Sequence, residues 1–439
     1  MKARTILAAV AAAVLSLTTL GIQPASAAGS PTLRSLARPA GILMGSGAIN
    51  PTYLDDPQFA HVLATEFQSL SPENELKWMF VHPAKNVYNF EGLDRLVAFA
   101  HANHMVVKGH GLISGCCNPQ YLVDITDPVT FRQAMVDHFT TVMRRYKGKM
   151  DRWDVATEVF ETLGSQLQSN DFSRVLGNGY IAEAFRIAHA ADPDATLFLN
   201  ENLVEFLPEK RQALYDLVSG LVADGVPIDG VALQMHETLA GPQPGVITEI
   251  VKSYHALGLK VSVAELDVHT YDPIQQADIY GAVLAEALAA GVTDISTWGF
   301  TDKHLYTWLP GAKPLLFDEN FNAKPAYNAY RSALESFTHD RVAPSVAKLS
   351  ATTERSLNGS YTVALELKKN ATPGSYFYLY ENGVLVHAQA INTVSGTPQK
   401  IEVSFVNKPN GVYVYRARLV NSHGSTASQK TTVKVKLNQ

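Results

Sequence analysis

The chain has 439 residues, 41 acidic and 36 basic side chains and a formal charge of −5, so it lacks the basic stripe that a nucleic-acid partner calls for. Its length exceeds what one hydrophobic core usually holds, and a large domain with a smaller companion is expected. A neutral small or polymeric substrate suits that charge better than a polyanion.

The N-terminus begins with Lys2 and Arg4, continues through an apolar run from Ile6 to Leu20 and reaches Ala25-Ser26-Ala27. That is the basic, apolar, small-residue order of a signal peptide over residues 1–27, which predicts removal, export and a secreted, extracellular product. No other stretch reaches the roughly 18 unbroken apolar residues of a membrane helix, so no membrane association is expected.

From Gly41 to Leu334 short apolar runs alternate with longer amphipathic segments. The runs are ILMGSGAI, EFQSLSPEN, MVVKGHGLI, DRWDVATEV, ATLFLNEN, IDGVALQMH, KVSVAELDV and DISTWGFTD, with the content of strands buried on both faces. The clearest helix follows the third run. Asp127 is its N-cap, Pro128 its first residue, Phe131, Met135, Phe139 and Met143 recur four apart, and Gly148 stops it. Eight strand-then-helix units over residues 28–340 predict an α/β fold, a (β/α)8 TIM barrel. The rival, a doubly wound open sheet, is disfavoured because no GxGxxG follows a strand. The chain divides near residue 343. Beyond it YTVALELKK, SYFYLYENGVLVHAQAI, QKIEVSFVN, GVYVYRARLVN and KTTVKVKL alternate apolar and polar residues around turns at Glu381-Asn382-Gly383 and Pro409-Asn410-Gly411. These predict an all-β immunoglobulin-like sandwich over 346–439.

A TIM barrel keeps its chemistry at the C-terminal ends of its strands. Those ends hold Glu73-Asn74-Glu75 with Lys77-Trp78, then His110, Glu158, Asn200-Glu201-Asn202, Gln234 and His236, Glu265 and Asp267, and Trp298 with Thr301, Asp302 and Lys303. No phosphate-cradling loop and no metal-ligand spacing occurs among them, so neither a metal nor an organic cofactor is expected. Carboxylates, amides and tryptophans are what grips a sugar and cleaves an acetal. Glycoside hydrolysis needs two carboxyls, one protonated to help the leaving oxygen and one ionised. Glu158, behind Trp153, is expected to be partly buried and to keep its proton; Glu265 is expected to be held ionised by a nearby lysine or histidine. Either alone reads as a rim residue in a salt bridge, whereas the two together, aligned with the other polar strand ends, read as a catalytic pair.

The stretches SPENELKW, KGH, RWDVATE, LQMH, VAELDV, WGFTDK and PLLFDENFNAKPAY, spread over about 41–335, resemble the signature blocks of glycoside hydrolase family 10, the xylanase family of clan A. The resemblance implies retaining double displacement, with Glu158 as acid/base and Glu265 as nucleophile about 5 to 5.5 Å apart. It casts Glu73, Asn74 and Lys77 in the subsites binding the non-reducing side of the bond, and Trp78 and His110 are further candidate substrate-binding residues. It places Gln234 and His236 beside the nucleophile and Trp298 as the platform under the sugar. The segment NGVYVYRARLVNSHGSTAS resembles fibronectin type III or immunoglobulin-like modules, which either bind glycan or space and stabilise an enzyme.

Two departures stand out. Where the family reads Asn-Glu at the acid/base, this chain reads Thr157-Glu158, exchanging an amide that donates to the sugar 2-hydroxyl for a shorter hydroxyl. Where the family continues GHTLVWHSQ and then proline and tryptophan, this chain reads GHGLISGCCNPQY, with Ser114-Gly115 in place of Trp-His and Tyr121 in place of the later tryptophan. A wider pocket is expected, open to a hexose or branched sugar. Three readings of a plant glycan or glycoside substrate follow: a secreted retaining β-glycosidase acting on a saponin, like the tomatinase branch that releases the oligosaccharide of α-tomatine; an endo-1,4-β-xylanase; and an inactive glycan-binding barrel. A monomer is the default expectation. The only cysteines, Cys116 and Cys117, are adjacent on the loop after the third strand, where either a vicinal disulfide or two buried thiols would pin a rebuilt loop. A catalytic thiol is disfavoured for want of a Cys-His pairing.

Overall fold

All eight apolar runs form parallel strands in the computed structural model: β1 (Leu43–Ile49), β2 (Ser69–Pro72), β3 (Val106–Ile113), β4 (Arg152–Thr157), β5 (Thr196–Glu201), β6 (Gly230–Leu233), β7 (Lys260–Val268) and β8 (Asp294–Trp298). The structure describes residues 31–439 except 151, 340–342, 369–370, 392–397, 422 and 438–439, so the expected signal peptide at 1–27 lies outside the described residues. Pairing of β8 with β1, from Leu43↔Asp294 to Gly47↔Trp298, and of β6 with β7, from Gly230↔Lys260, closes the barrel. Past a break at Gln234-Met235 the sixth run resumes as the two-residue strand His236–Glu237, paired with the end of β7.

Each strand is followed by an outer helix: α1 (Pro57–Glu66), α2 (Glu91–Ala102), α3 (Pro128–Tyr146), α4 (Tyr180–Ala191), α5 (Pro208–Ala223), α6 (Val246–Ala256), α7 (Pro273–Ala290) and α8 (Pro325–His339). Helices α1, α3 and α7 start alike, an aspartate N-cap followed by proline at the first helical position. In α3 the Asp127 carboxylate accepts the Thr130 N–H at 2.8 Å, a cap that contributes about 1 kcal/mol. Its stripe of Phe131, Met135, Phe139 and Met143 is fully buried, and Gly148, at φ +72°, turns the chain away.

The strands are buried on both faces as expected, but their inward face is largely polar. Toward the N-terminal end, Lys108 and Arg152 both pair with Asp294. Lys108 also donates to Ser296 Oγ at 2.7 Å, and Arg152 to Ser262 Oγ at 2.8 Å. Because these charges are paired and hydrogen-bonded, the barrel interior tolerates them. Strand alternation puts the residue two positions further along on the same inward face, which is how Lys108 leads to His110 and Arg152 to Asp154.

The C-terminal region has two sheets. One is ordered β9 (Lys348–Ala351), β11 (Tyr361–Leu367), β14 (Gln399–Phe405); the other β10 (Arg355–Ser356), β17 (Thr431–Val435), β15 (Gly411–Asn421), β12 (Tyr376–Glu381), β13 (Val384–Ala390), with β16 (Gly424–Ala427) on β15. Val363, Leu365, Phe377, Leu379, Tyr415, Leu419 and Val433 fill the core. The hairpin of β12 and β13 turns at Asn382 and Gly383, both at positive φ, +49° and +89°, as the Asn-Gly pair predicts. Tyr376, Tyr378 and Val420, also buried, pack with Ala282 of α7 and with Ala388 and Ala390. Asp278 of α7 accepts the Ala390 N–H at 2.9 Å. The sandwich is therefore seated on the flank of the barrel, on α7.

Candidate active site

Glu265 is 3 % exposed on β7, at a register shift between Val263 and Leu266. Its Oε1 accepts the Asn200 amide N–H at 2.8 Å and lies 3.7 Å from His110 Nδ1, while its Oε2 lies 3.4 Å from His236 Nε2. Each imidazole is backed by a second carboxylate: His110 Nδ1 by Asp154 at 2.9 Å and His236 Nδ1 by Asp267 at 2.9 Å. Burial pushes both imidazoles toward the neutral form, but the carboxylates outweigh it: Glu265 and Asp154 raise His110, and Asp267 and Glu265 hold His236 well above the usual histidine range. Burial raises Asp154 and Asp267 in turn, and their hydrogen-bonded imidazoles bring both below the usual range. The result is one carboxyl facing two imidazoles whose proton affinity is raised, the histidine environment expected of Glu265.

Glu158 stands just past β4 with φ +53°, and its N–H donates to the Asn200 carbonyl at 2.9 Å. Gln234 joins the two carboxyls. Its Nε2 donates to Glu158 Oε1 at 3.1 Å and to Asn200 Oδ1 at 2.9 Å, and Asn200 donates onward to Glu265. The expected partial burial of Glu158 is absent, since its side chain is exposed. Trp153 does not cover it, being fully buried outside the barrel wall over Gly109, with Nε1 donating to the Met150 carbonyl. Desolvation of Glu158 has to come from a ligand in the cleft.

Trp298 closes β8 with its ring 5.2 Å from that of His110 and 6.5 Å from that of His236, edge to face with both. Gly47 makes this possible, because a Cβ there would lie 2.6 Å from the indole. Glu73 begins the loop after β2, and Lys77 Nζ donates to Asn74 Oδ1 at 2.9 Å; the Lys77 charge is close enough to lower His110.

Trp78 does not belong with them. It is 3 % exposed, its ring stacks on His138 at 3.9 Å and its Nε1 donates to the Tyr121 hydroxyl at 2.8 Å. It supports the loop from behind and offers no face to a sugar, and Tyr121, 2.8 Å from His82 Nδ1, belongs to the same cluster. Thr157 is also corrected. Buried, it donates its hydroxyl to the Ile113 carbonyl at 3.3 Å, so it ties β4 to β3 instead of donating to a ligand.

Cys116 and Cys117 form the vicinal disulfide, and Cys116 is exposed, which excludes the buried-thiol arrangement. The Cys117 carbonyl accepts the Met79 N–H at 2.8 Å, Ser114 Oγ donates to the Cys116 carbonyl at 2.9 Å, and Gly115 approaches Gln168 so closely that a Cβ would lie 2.0 Å from its Oε1. The loop is thus held between the segment that carries Lys77 and the one that follows Glu158.

Asn200, Asp154, Asp267, His269 and Trp308 complete the site without having been singled out as site residues. For Asn200 the signal was strand parity: it points inward, while neighbouring Glu201 points outward into a fully buried pair with Lys210 at 2.9 Å. Trp308 stacks on His269 at 3.5 Å and meets His236 edge-on at 5.7 Å. It lies on a loop with no periodicity to betray it.

The family model for Glycosyl hydrolase family 10 matches residues 32–333. Among curated relatives, Endo-1,4-beta-xylanase B of Thermotoga neapolitana is 34% identical over 325 residues, covering 70% of this chain and 93% of that protein. Among solved structures, native xylanase 10B of Thermotoga maritima superposes with a TM-score of 0.67 at 33% identity, covering 71% of this chain and 100% of that one. Xylanase 10B of Thermotoga petrophila RKU-1, solved with xylobiose, matches with the same TM-score and identity over 71% and 99%. A family match across the whole barrel and relatives at this identity and coverage make the chain a member of glycosyl hydrolase family 10, a family of retaining glycoside hydrolases.

Proposed function

We propose that this chain is an endo-1,4-β-xylanase in which Glu265 is the nucleophile and Glu158 the acid/base. The observation that carries the assignment is the environment of Glu265, a buried carboxylate gripped by Asn200 and faced by His110 and His236, with Glu158 reached through Gln234. In the first step a Glu265 oxygen bonds to the anomeric carbon while the glycosidic C–O bond breaks and Glu158 gives its proton to the leaving oxygen. In the second, Glu158 takes a proton from water, the water oxygen bonds to the anomeric carbon and Glu265 departs as carboxylate. Asn200, His110 and His236 position Glu265 and balance its charge; Trp298 offers a ring face beside it; Glu73, Asn74 and Lys77 extend the cleft on the β2 side.

The names of the relatives support xylan over a saponin as substrate. The saponin reading retains one observation in its favour, the small Ser114-Gly115 pair and the disulfide at the rim. Export is inferred from residues 1–27 alone and is checked by N-terminal sequencing of culture supernatant; a monomer is inferred by default and is checked by light scattering. The decisive experiment is incubation with birchwood xylan, cellulose, an aryl β-xyloside, an aryl β-galactoside and a steroidal glycoalkaloid, with products read by mass spectrometry. Xylo-oligosaccharides from xylan are expected. Turnover of the glycoalkaloid alone would establish the saponin reading, and binding without turnover of any substrate would make the barrel an inactive receptor.

A further inference from the structure

Glu205 and Glu237 have no part in these steps, yet they lie directly behind them. Glu205 sits on the loop after β5 and Glu237 follows His236 on the short strand; they are 3 % and 0 % exposed. None of their four carboxyl oxygens has a hydrogen-bond partner among the described residues. Glu237 lies within electrostatic reach of Glu205, Asp267 and His236, and Glu205 within that of His236, Lys210 and Arg211. Two of those cations are committed elsewhere, Lys210 to Glu201 and Asn202 and His236 to Asp267 and Glu265. Two ionised carboxylates buried within electrostatic reach of each other are not sustainable, whereas a pair holding one proton carries a single charge. Burial accordingly pushes Glu205 up to about 7, and burial together with the Glu205 charge pushes Glu237 well above the usual carboxylate range.

We propose that Glu205 and Glu237 share a single proton and act as a positioning pair for His236, their one negative charge joining that of Asp267 to keep the imidazole cationic against Glu265. The proposal rests on the reading of Glu265 as nucleophile. Loss of the shared proton at higher pH adds a second negative charge beside His236 and raises the proton affinity of the whole site.

The test compares wild type with Glu237→Gln and Glu205→Gln, each of which replaces the shared proton with a permanent amide donor. A carboxyl whose folded pKa lies above its unfolded value stabilises the fold at low pH, and that contribution disappears as pH rises through about 4.5 toward 7. Wild type is therefore expected to lose Tm between pH 5 and pH 8 more steeply than either variant. An infrared difference spectrum between wild type and Glu237→Gln at pH 6 should show one protonated-carboxyl stretch lost. In kcat/KM on an aryl β-xyloside, the alkaline limb of Glu237→Gln should fall about half a pH unit below that of wild type. Parallel Tm curves together with no protonated-carboxyl band would overturn the shared proton. Those two readouts hold whether or not Glu265 is the nucleophile. A shared proton with coincident pH–rate profiles would overturn the link to His236. Should one variant fail to fold, the other and the wild-type infrared titration decide.

Discussion

The fold treats the two glutamates oppositely. Glu265 is buried among donors and cannot be replaced without leaving His110 and His236 each with only one of its two carboxylate neighbours, whereas Glu158 is exposed and, among the described residues, hydrogen-bonds through its side chain to Gln234. Glu265→Ala should therefore abolish turnover, with a loss of at least about 10³-fold, and Glu158→Ala should lose about 10²–10⁴-fold on substrates with poor leaving groups. An activated aryl leaving group needs no proton and should spare the first step only in Glu158→Ala. Steady-state assay with two aryl leaving groups separates the roles, and substantial activity surviving in Glu265→Ala would end the assignment. Thr157 poses the opposite case, since its hydroxyl is already committed to Ile113. Thr157→Asn should restore a donor toward the sugar 2-hydroxyl and raise kcat/KM on aryl β-xylosides by about tenfold, ~1.4 kcal/mol. A fall on every glycoside would mean that the bond between β3 and β4 matters more than the missing donor.

At the scale of elements, the loop after β3 and the helix α7 carry the departures from a plain barrel. The Cys116–Cys117 loop places Cys117 at φ +65°, a left-handed conformation that costs about 1–2 kcal/mol for a side-chain-bearing residue, and it is anchored to Met79 and Gln168. Cys116→Ser with Cys117→Ser, or mild reduction, should free the loop at the rim. KM on xylo-oligosaccharides should rise about threefold or more with kcat changed less, because the carboxyl pair stands on strands the loop does not support; unchanged KM would detach the loop from substrate binding. On α7, Asp278 accepts the Ala390 N–H, and burial pushes it up to about 6. With a folded pKa above the unfolded one, its contribution to the seating of the sandwich is present at pH 4 and is lost as pH rises through 6. Asp278→Asn keeps the acceptor and removes the charge. Discounted for partial exposure, the gain at pH 7 is on the order of 1 kcal/mol, about 2 °C in Tm, with none at pH 4. Calorimetry at the two pH values checks it.

For the whole molecule, the barrel and the sandwich were legible to different depths. Eight strands, their helices and the start of α3 followed from periodicity and capping, since burying an apolar face in a (β/α)8 arrangement requires those patterns wherever the chain goes. The polar interior was half legible: strand ends were visible as candidates, but inward and outward residues differ by one position. Asn200 and Glu201 became separable only when the register was known, and Trp78 left the site because its ring is buried against His138 on the turn behind the loop. The seating of the sandwich on α7 could not be read at all, because Tyr376, Tyr378 and Val420 look in sequence like any alternating strand residues.

By itself the sequence determined the (β/α)8 order, the β-rich C-terminal region and, through its likeness to a family, the two glutamates that would face a sugar, because local patterning and motif order persist in one dimension. Only the tertiary structure decided that His110 and His236 both face Glu265, that Glu158 opens to solvent, that the Thr157 hydroxyl is committed to Ile113 and Trp78 lies buried against His138, and that the adjacent cysteines close on each other at the rim of the cleft. Charge balance, burial and hydrogen-bond partnership are properties of neighbours in space, and those neighbours come from strands as far apart as β3 and β8.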